Sequence, residues 1–130
     1  MAPATPMAQV VPIAQVGPVA PVGPVVPVCD LSALQPERGV AALLPDGTQV
    51  AVFLTSDGGL HALGNVDPFS GAAVLSRGIV GDRGGVPVVI SPLYKQAFEL
   101  STGRCLDDPA VVVESYPVSV VEGVVRVGAP

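Results

Sequence analysis

The sequence has no tryptophan, only two cysteines and a single histidine, and aromatic residues make up 4% of its 130 positions. With so few aromatic rings there is no stacking platform for single-stranded nucleic acid. One histidine leaves no His-based metal site and no obvious base for a nucleophilic cysteine. Charge is also scarce. Charged residues are 13% of the chain, and six Lys+Arg against 11 Asp+Glu give a net charge of −5. An acidic chain gains nothing from a phosphate backbone, so nucleic acid is excluded as a natural partner.

What is abundant is proline and glycine, 15 of each, within a composition that is 49% hydrophobic. That is too apolar for a wholly disordered chain. The length suits one domain. Seven prolines fall in the first 27 residues, and the first charged side chain is Asp30. Repeated proline removes the amide donors that a helix must satisfy in lipid, so this stretch is a poor membrane span. It also lacks the basic start and unbroken apolar core of a secretory signal. Pro18, Pro21, Pro24 and Pro27 recur every third residue, the period of polyproline II. Residues 1–24 read as a disordered Pro/Val/Ala-rich tail, either a semi-rigid spacer or a ligand for a proline-binding domain. Residues 25–130 read as the folded domain.

That domain reads as all-β, a sandwich or small barrel of short strands between turns. Runs over 39–44 and 49–54 flank Pro45-Asp46-Gly47-Thr48, a strong hairpin signal because proline fixes one dihedral and glycine supplies a positive φ. Ser56-Asp57-Gly58-Gly59 is a second turn, leading into a strand at 60–63 that carries His61. Further strands are expected at 25–28, 86–90, 97–100, 111–114, 118–121 and 124–127. Residues 31–38 offer a turn of helix at most. The segment 64–85 is expected to be a long ordered loop, anchored by Phe69, Leu75, Ile79 and Val80. Cys29 and Cys105 read as reduced, mostly buried thiols. Asp107-Asp108-Pro109 reads as a solvated turn, and 81–85 as a loop tip.

Two segments carry a resemblance. Residues 64–82 (GNVDPFSGAAVLSRGIVGD) and 91–108 (SPLYKQAFELSTGRCLDD) are similar to the small subunit of the NAD(P)H-dependent assimilatory nitrite reductase. The likeness covers about residues 28–128. It implies a Rieske-like fold, a β-barrel with a smaller subdomain that in Rieske proteins holds a [2Fe–2S] cluster. It implies a partner, the nitrite reductase large subunit, carrying FAD, a [4Fe–4S] cluster and sirohaem and reducing nitrite to ammonium with NAD(P)H. It also implies a cytoplasmic location and no membrane association.

A Rieske centre takes two thiolates on one iron and two imidazoles on the other. In the register of the resemblance, the Cys-x-His pair falls at Asn65 and Asp67, and the Cys-x-x-His pair at Ser91 and Tyr94. Lys95 follows where a glycine is usual. None of the four replacements is a thiolate or an imidazole, and one histidine in the whole chain rules out two imidazole ligands. No cluster is therefore expected in this chain. Packing and hydrogen bonds are expected to close the two loops instead, with Tyr94 filling the space of a ligand and its hydroxyl bonded across. Between 65 and 108 the charge is mixed: Arg77, Arg83, Lys95 and Arg104 stand against Asp67, Asp82, Glu99, Asp107 and Asp108. Mixed charge around aromatic residues suits a protein interface. Phe69, Arg77, Arg83, Tyr94 and Lys95 are the expected partner contacts. The other readings are a free-standing Rieske-type electron-transfer protein and a non-catalytic binding module.

Overall fold

The computed structural model describes residues 25–129; the tail expected over 1–24 lies outside them. Among the described residues, ten strands form three antiparallel sheets. The first holds β1 (Val26–Asp30), β10 (Val124–Val127) and β9 (Val118–Val121), with β10 in the middle. The second runs β2 (Arg38–Leu43), β3 (Gln49–Leu54), β4 (Leu60–Gly64) and β8 (Ser115–Tyr116). The third runs β5 (Ile79–Arg83), β6 (Val86–Ile90) and β7 (Ala97–Glu99). Two short 3-10 helices, Leu31–Ala33 and Leu75–Arg77, connect them. Among the described residues no helix is long and apolar enough to cross a membrane.

The reason for this arrangement is clearest at β3. Its sequence, Gln-Val-Ala-Val-Phe-Leu, does not alternate between apolar and polar residues. Alternation is needed only when one face of a strand meets water. Here Val50 and Val52 enter one core with Leu34, Ala62, Val125 and Val127. Ala51 and Phe53 enter another with Leu63, Leu75, Val89, Phe98 and Cys105. All four β3 residues are fully buried. For Phe53 alone that burial stabilises the fold by about 2–3 kcal/mol relative to an exposed ring.

The turns follow the sequence closely. Gly47 takes φ 90°, and Asp46 Oδ1 accepts a hydrogen bond from the Thr48 amide at 2.9 Å. Thr55 N donates to Gly59 O at 2.9 Å, closing the second turn. Both cysteines are free thiols; Cys105 is buried and Cys29 half-buried.

Two expectations need correction. Residues 79–83 are not loop but strand β5, which pairs with β6 from Ile79↔Ile90 to Arg83↔Val86. The two-residue connection is Gly84-Gly85, both with positive φ, the geometry of a tight hairpin turn. The strand was hidden because Ile-Val-Gly-Asp-Arg has a single apolar pair and is defined by its partner rather than by its own pattern. Conversely, 111–114 is not a strand. Val112 makes only an isolated bridge with Arg104, and the paired segment comes later, at β8 against Ala62 and Leu63.

Candidate functional site

Two loops meet beside the core that holds Phe53 and Phe98. The first leaves the end of β4 at Asn65 and returns through the 3-10 helix at Leu75–Arg77. The second joins β6 to β7 over residues 91–96. Each is closed by its own backbone before any side chain is considered. Asp67 N donates to Ala72 O at 2.8 Å and Gly71 N to Asp67 O at 2.7 Å. Ser91 N donates to Gln96 O at 2.9 Å and Lys95 N to Ser91 O at 3.1 Å.

Asn65, Asp67 and Ser91, expected at the vacated ligand positions, are all buried, at 1%, 0% and 0% exposure. A buried polar group must find partners, and these do. Asn65 Oδ1 accepts from the Ser76 amide at 2.7 Å, and its Nδ2 donates to Gln49 Oε1 at 3.3 Å. This side chain ties the end of β4 to the short helix. Asp67 Oδ1 accepts from the Phe69 amide at 2.8 Å, an Asx-type turn of the kind Asp-Pro-Phe favours. Its other oxygen, Oδ2, accepts the hydroxyl proton of Ser91. Ser91 Oγ in turn accepts weakly from the Leu93 amide at 3.4 Å. The bond between Asp67 and Ser91 is the direct side-chain link between the loops.

Tyr94 does not make that link. It is 59% exposed, so the expectation that it fills a buried ligand space is corrected: the short serine side chain reaches the carboxylate and leaves the tyrosine outside. Lys95, also exposed, has φ 64°, a backbone state that glycine adopts without strain. Its Nζ folds back onto Pro92 O at 3.1 Å.

The remaining expected contacts divide. Phe69 is half-buried and packs against the core, its ring centroid 6.2 Å from that of Phe98 at an interplanar angle of 48°. It supports the first loop from beneath. Arg77 is exposed. Arg83 is exposed but already paired, its Nη1 2.9 Å from Asp107 Oδ1. Asp107 does more than cap a solvated turn. Its Oδ2 accepts from the Ala97 amide at 2.8 Å, at the start of β7. That backbone donor, followed by the Arg83 guanidinium, holds its carboxyl below the usual range. The sequence carries no local signal for this pairing, because Arg83 ends strand β5 and Asp107 lies 24 residues further on, beyond β7.

At the four positions expected to match cluster ligands the side chains are an amide, a carboxylate and two hydroxyls, where a Rieske centre takes two thiolates and two imidazoles, and three of the four, Asn65, Asp67 and Ser91, are already committed to hydrogen bonds. Cys29 lies in β1 and Cys105 in the core around Phe98; His61 lies in β4. No group of three or more His, Cys, Asp or Glu side chains able to hold a metal ion occurs among the described residues. The residues present do not fit a Rieske cluster.

A family model described as a Rieske-like [2Fe-2S] domain matches residues 25–128. The NADH nitrite reductase small subunit of Escherichia coli K12 is 44% identical over 101 residues, covering 76% of this chain and 92% of that protein. A nitrite reductase NAD(P)H large subunit from Klebsiella oxytoca is 46% identical, also over 101 residues; these are 78% of this chain but 10% of that protein. This chain thus spans about a tenth of that relative's length. Among solved structures, an NADH-dependent nitrite reductase small subunit from Mycobacterium tuberculosis superimposes with a TM-score of 0.77 at 59% identity, covering 79% of this chain and 92% of that one. The chain belongs to the family of Rieske-like nitrite reductase small subunits.

Proposed function

We propose that this chain is a cluster-free accessory subunit that binds the large subunit of an NAD(P)H nitrite reductase and supports the reduction of nitrite to ammonium there. The observation that carries the reading is the Klebsiella oxytoca match, in which a tenth of a large subunit resembles nearly the whole domain described here. A module found within the large chain in one organism and as a separate small subunit in another points to a contact that works with or without a covalent link.

The face that suits this contact is built by the two loops. Val66, Leu93 and Tyr94 are 47%, 50% and 59% exposed, and the bond between Asp67 and Ser91 brings their loops side by side. Arg77 and Lys95 supply charge around this apolar centre, as an interface rim does. Phe69 contributes by holding the first loop in place. Arg83 stays engaged with Asp107. FAD, sirohaem, the [4Fe–4S] cluster and NAD(P)H belong to the partner, which performs the chemistry in the cytoplasm. Two free thiols agree with such a reducing compartment.

The competing reading, a free-standing Rieske-type electron carrier, requires soft and imidazole donors that Asn65, Asp67, Ser91 and Tyr94 do not provide. The test is co-expression of the full chain with the large subunit. Co-purification of the two, with nitrite reductase activity that falls when this chain is deleted, supports the proposal. Failure to associate, with undiminished activity in the deletion, overturns it.

A further inference from the structure

The exposed apolar surface is unevenly spread. Six large hydrophobic side chains are exposed among the described residues: Leu43, Val66, Ile79, Leu93, Tyr94 and Val112. Val66, Leu93 and Tyr94 belong to the two-loop face. Leu43 and Ile79 come from two different sheets, and at 69% and 68% they are the most exposed of the six. Val112 makes its isolated bridge with Arg104, past the end of β7.

Leu43 and Ile79 both border the two loops. Leu43 ends β2 opposite Gln49 at the start of β3, and side chains directly opposite in a sheet share a face. Gln49 Oε1 accepts from Asn65 Nδ2 at 3.3 Å, and its carbonyl accepts from the Asn65 amide at 3.0 Å. Leu43 is thus two strand spacings, about 10 Å, from the residue that opens the first loop. Asn65 Oδ1 in turn accepts from the amide of Ser76, in the short helix Leu75–Arg77. Ile79 begins β5 two residues after that helix, opposite Ile90, and Ile90 immediately precedes Ser91 of the second loop.

No side chain separates these pieces. A Cβ on Gly39 of β2 would lie 2.6 Å from Ser76 O, and one on Gly78 would lie 2.5 Å from Ile90 O, both closer than a Cβ can approach. The backbones of β2, the short helix and the end of β6 therefore abut. Gly39 and Leu43 point to the same side of β2; the helix covers the first and leaves the second open. Apolar side chains gathered in one patch mark an interaction surface.

We propose that Leu43 and Ile79 are further contact residues for the large subunit, which covers this end of the molecule from β2 to β5 and not the two loops alone. The proposal rests on the large-subunit reading above, because both residues continue the loop face without a break. Arg77 precedes Ile79 by two residues and Lys95 follows Tyr94, and neither has an ion-pair partner among the described residues. The matching surface of the partner is therefore apolar, with carboxylates facing these two cations.

The test measures the affinity of the full chain for the purified large subunit by titration calorimetry. Leu43→Thr and Ile79→Thr keep a strand-favouring residue at each site, and at exposed positions they are expected to leave the melting temperature unchanged. Each is expected to weaken binding about tenfold, as loss of an interface anchor does. Leu43→Met and Ile79→Val are expected to bind as the parent does, and so is Val112→Thr, which none of these contacts reaches. A parent chain that binds, with both threonine variants within about twofold of it, overturns the proposal and leaves the large-subunit reading standing. A parent chain that does not bind overturns that reading and the proposal with it. Sedimentation of the chain alone completes the test: a parent that dimerises and threonine variants that do not, with unchanged affinity for the large subunit, assign Leu43 and Ile79 to a second copy and overturn the proposal.

Discussion

Ser91 Oγ donates its proton to Asp67 Oδ2 across 24 residues of sequence, and both side chains are fully buried. Two loops that a metal centre pins in other folds of this type are here joined by one hydroxyl and one carboxylate. A hydrogen bond to a charged group contributes about 1.5–3 kcal/mol, and orphaning a buried partner costs a similar amount.

Ser91→Ala is therefore expected to destabilise the protein by about 2 kcal/mol, which lowers the melting temperature of a domain this size by roughly 10 °C. Asp67→Ala is expected to cost more, because the Phe69 amide loses its acceptor too. Denaturant titrations of both variants and the double variant check this. A coupling energy above about 0.5 kcal/mol shows that the two residues act as a pair.

Tyr94→Ala is expected to leave stability within about 0.5 kcal/mol of the parent, as for other exposed positions. It is expected to weaken co-purification with the nitrite reductase large subunit. The two measurements together separate a contact residue from a packing residue.

Lys95→Gly is expected to raise stability. A lysine held at φ 64° carries a steric cost of roughly 1–2 kcal/mol that glycine lacks. The flexibility glycine adds to the unfolded chain offsets part of this gain. A melting temperature that rises while Lys95→Ala leaves it unchanged identifies the backbone as the cause.

Stability is expected to fall in two steps on acidification. Burial holds the His61 imidazole below its ordinary value of 6.5, with Asp57 opposing the shift. The unfolded chain then takes up this proton first. The His61 contribution is complete above about pH 6.5 and is lost as the pH falls through the folded-state value. The second step comes below 3.8, where Asp107, held low by the Ala97 amide and Arg83, is protonated first in the unfolded chain. His61→Gln is expected to remove the upper step and keep the lower one, as read from denaturant midpoints against pH.

Purified protein is expected to be colourless and free of stoichiometric iron and sulfide. Metal analysis and visible absorption check this directly. Replacing Asn65, Asp67 and Ser91 by Ala should leave both readings unchanged, since none of these residues supplies a suitable ligand.

Much of this was legible in the sequence for local reasons. Pro-Asp-Gly fixes the β2–β3 turn through its own dihedrals, and Asp67-Pro68-Phe69 announces a carboxylate that caps a nearby amide. The two segments singled out in the sequence are also the ones whose side chains Asp67 and Ser91 meet. What stayed hidden was non-local. Strand β5 exists because Val86–Ile90 pairs with it, and Arg83 meets Asp107 only once the third sheet has formed. Tyr94 misled because its size suggested filling, whereas the buried link between the loops is made by the serine hydroxyl and the Asp67 carboxylate, with the tyrosine exposed.

Strand β3 has a consequence for how the molecule comes apart. With Val50 and Val52 on one side and Ala51 and Phe53 on the other, it is the party wall of two adjoining rooms, and neither room stands once the wall is down. Melting should proceed as a single event in calorimetry, and the β3 amides should be among the last to exchange their hydrogens with solvent.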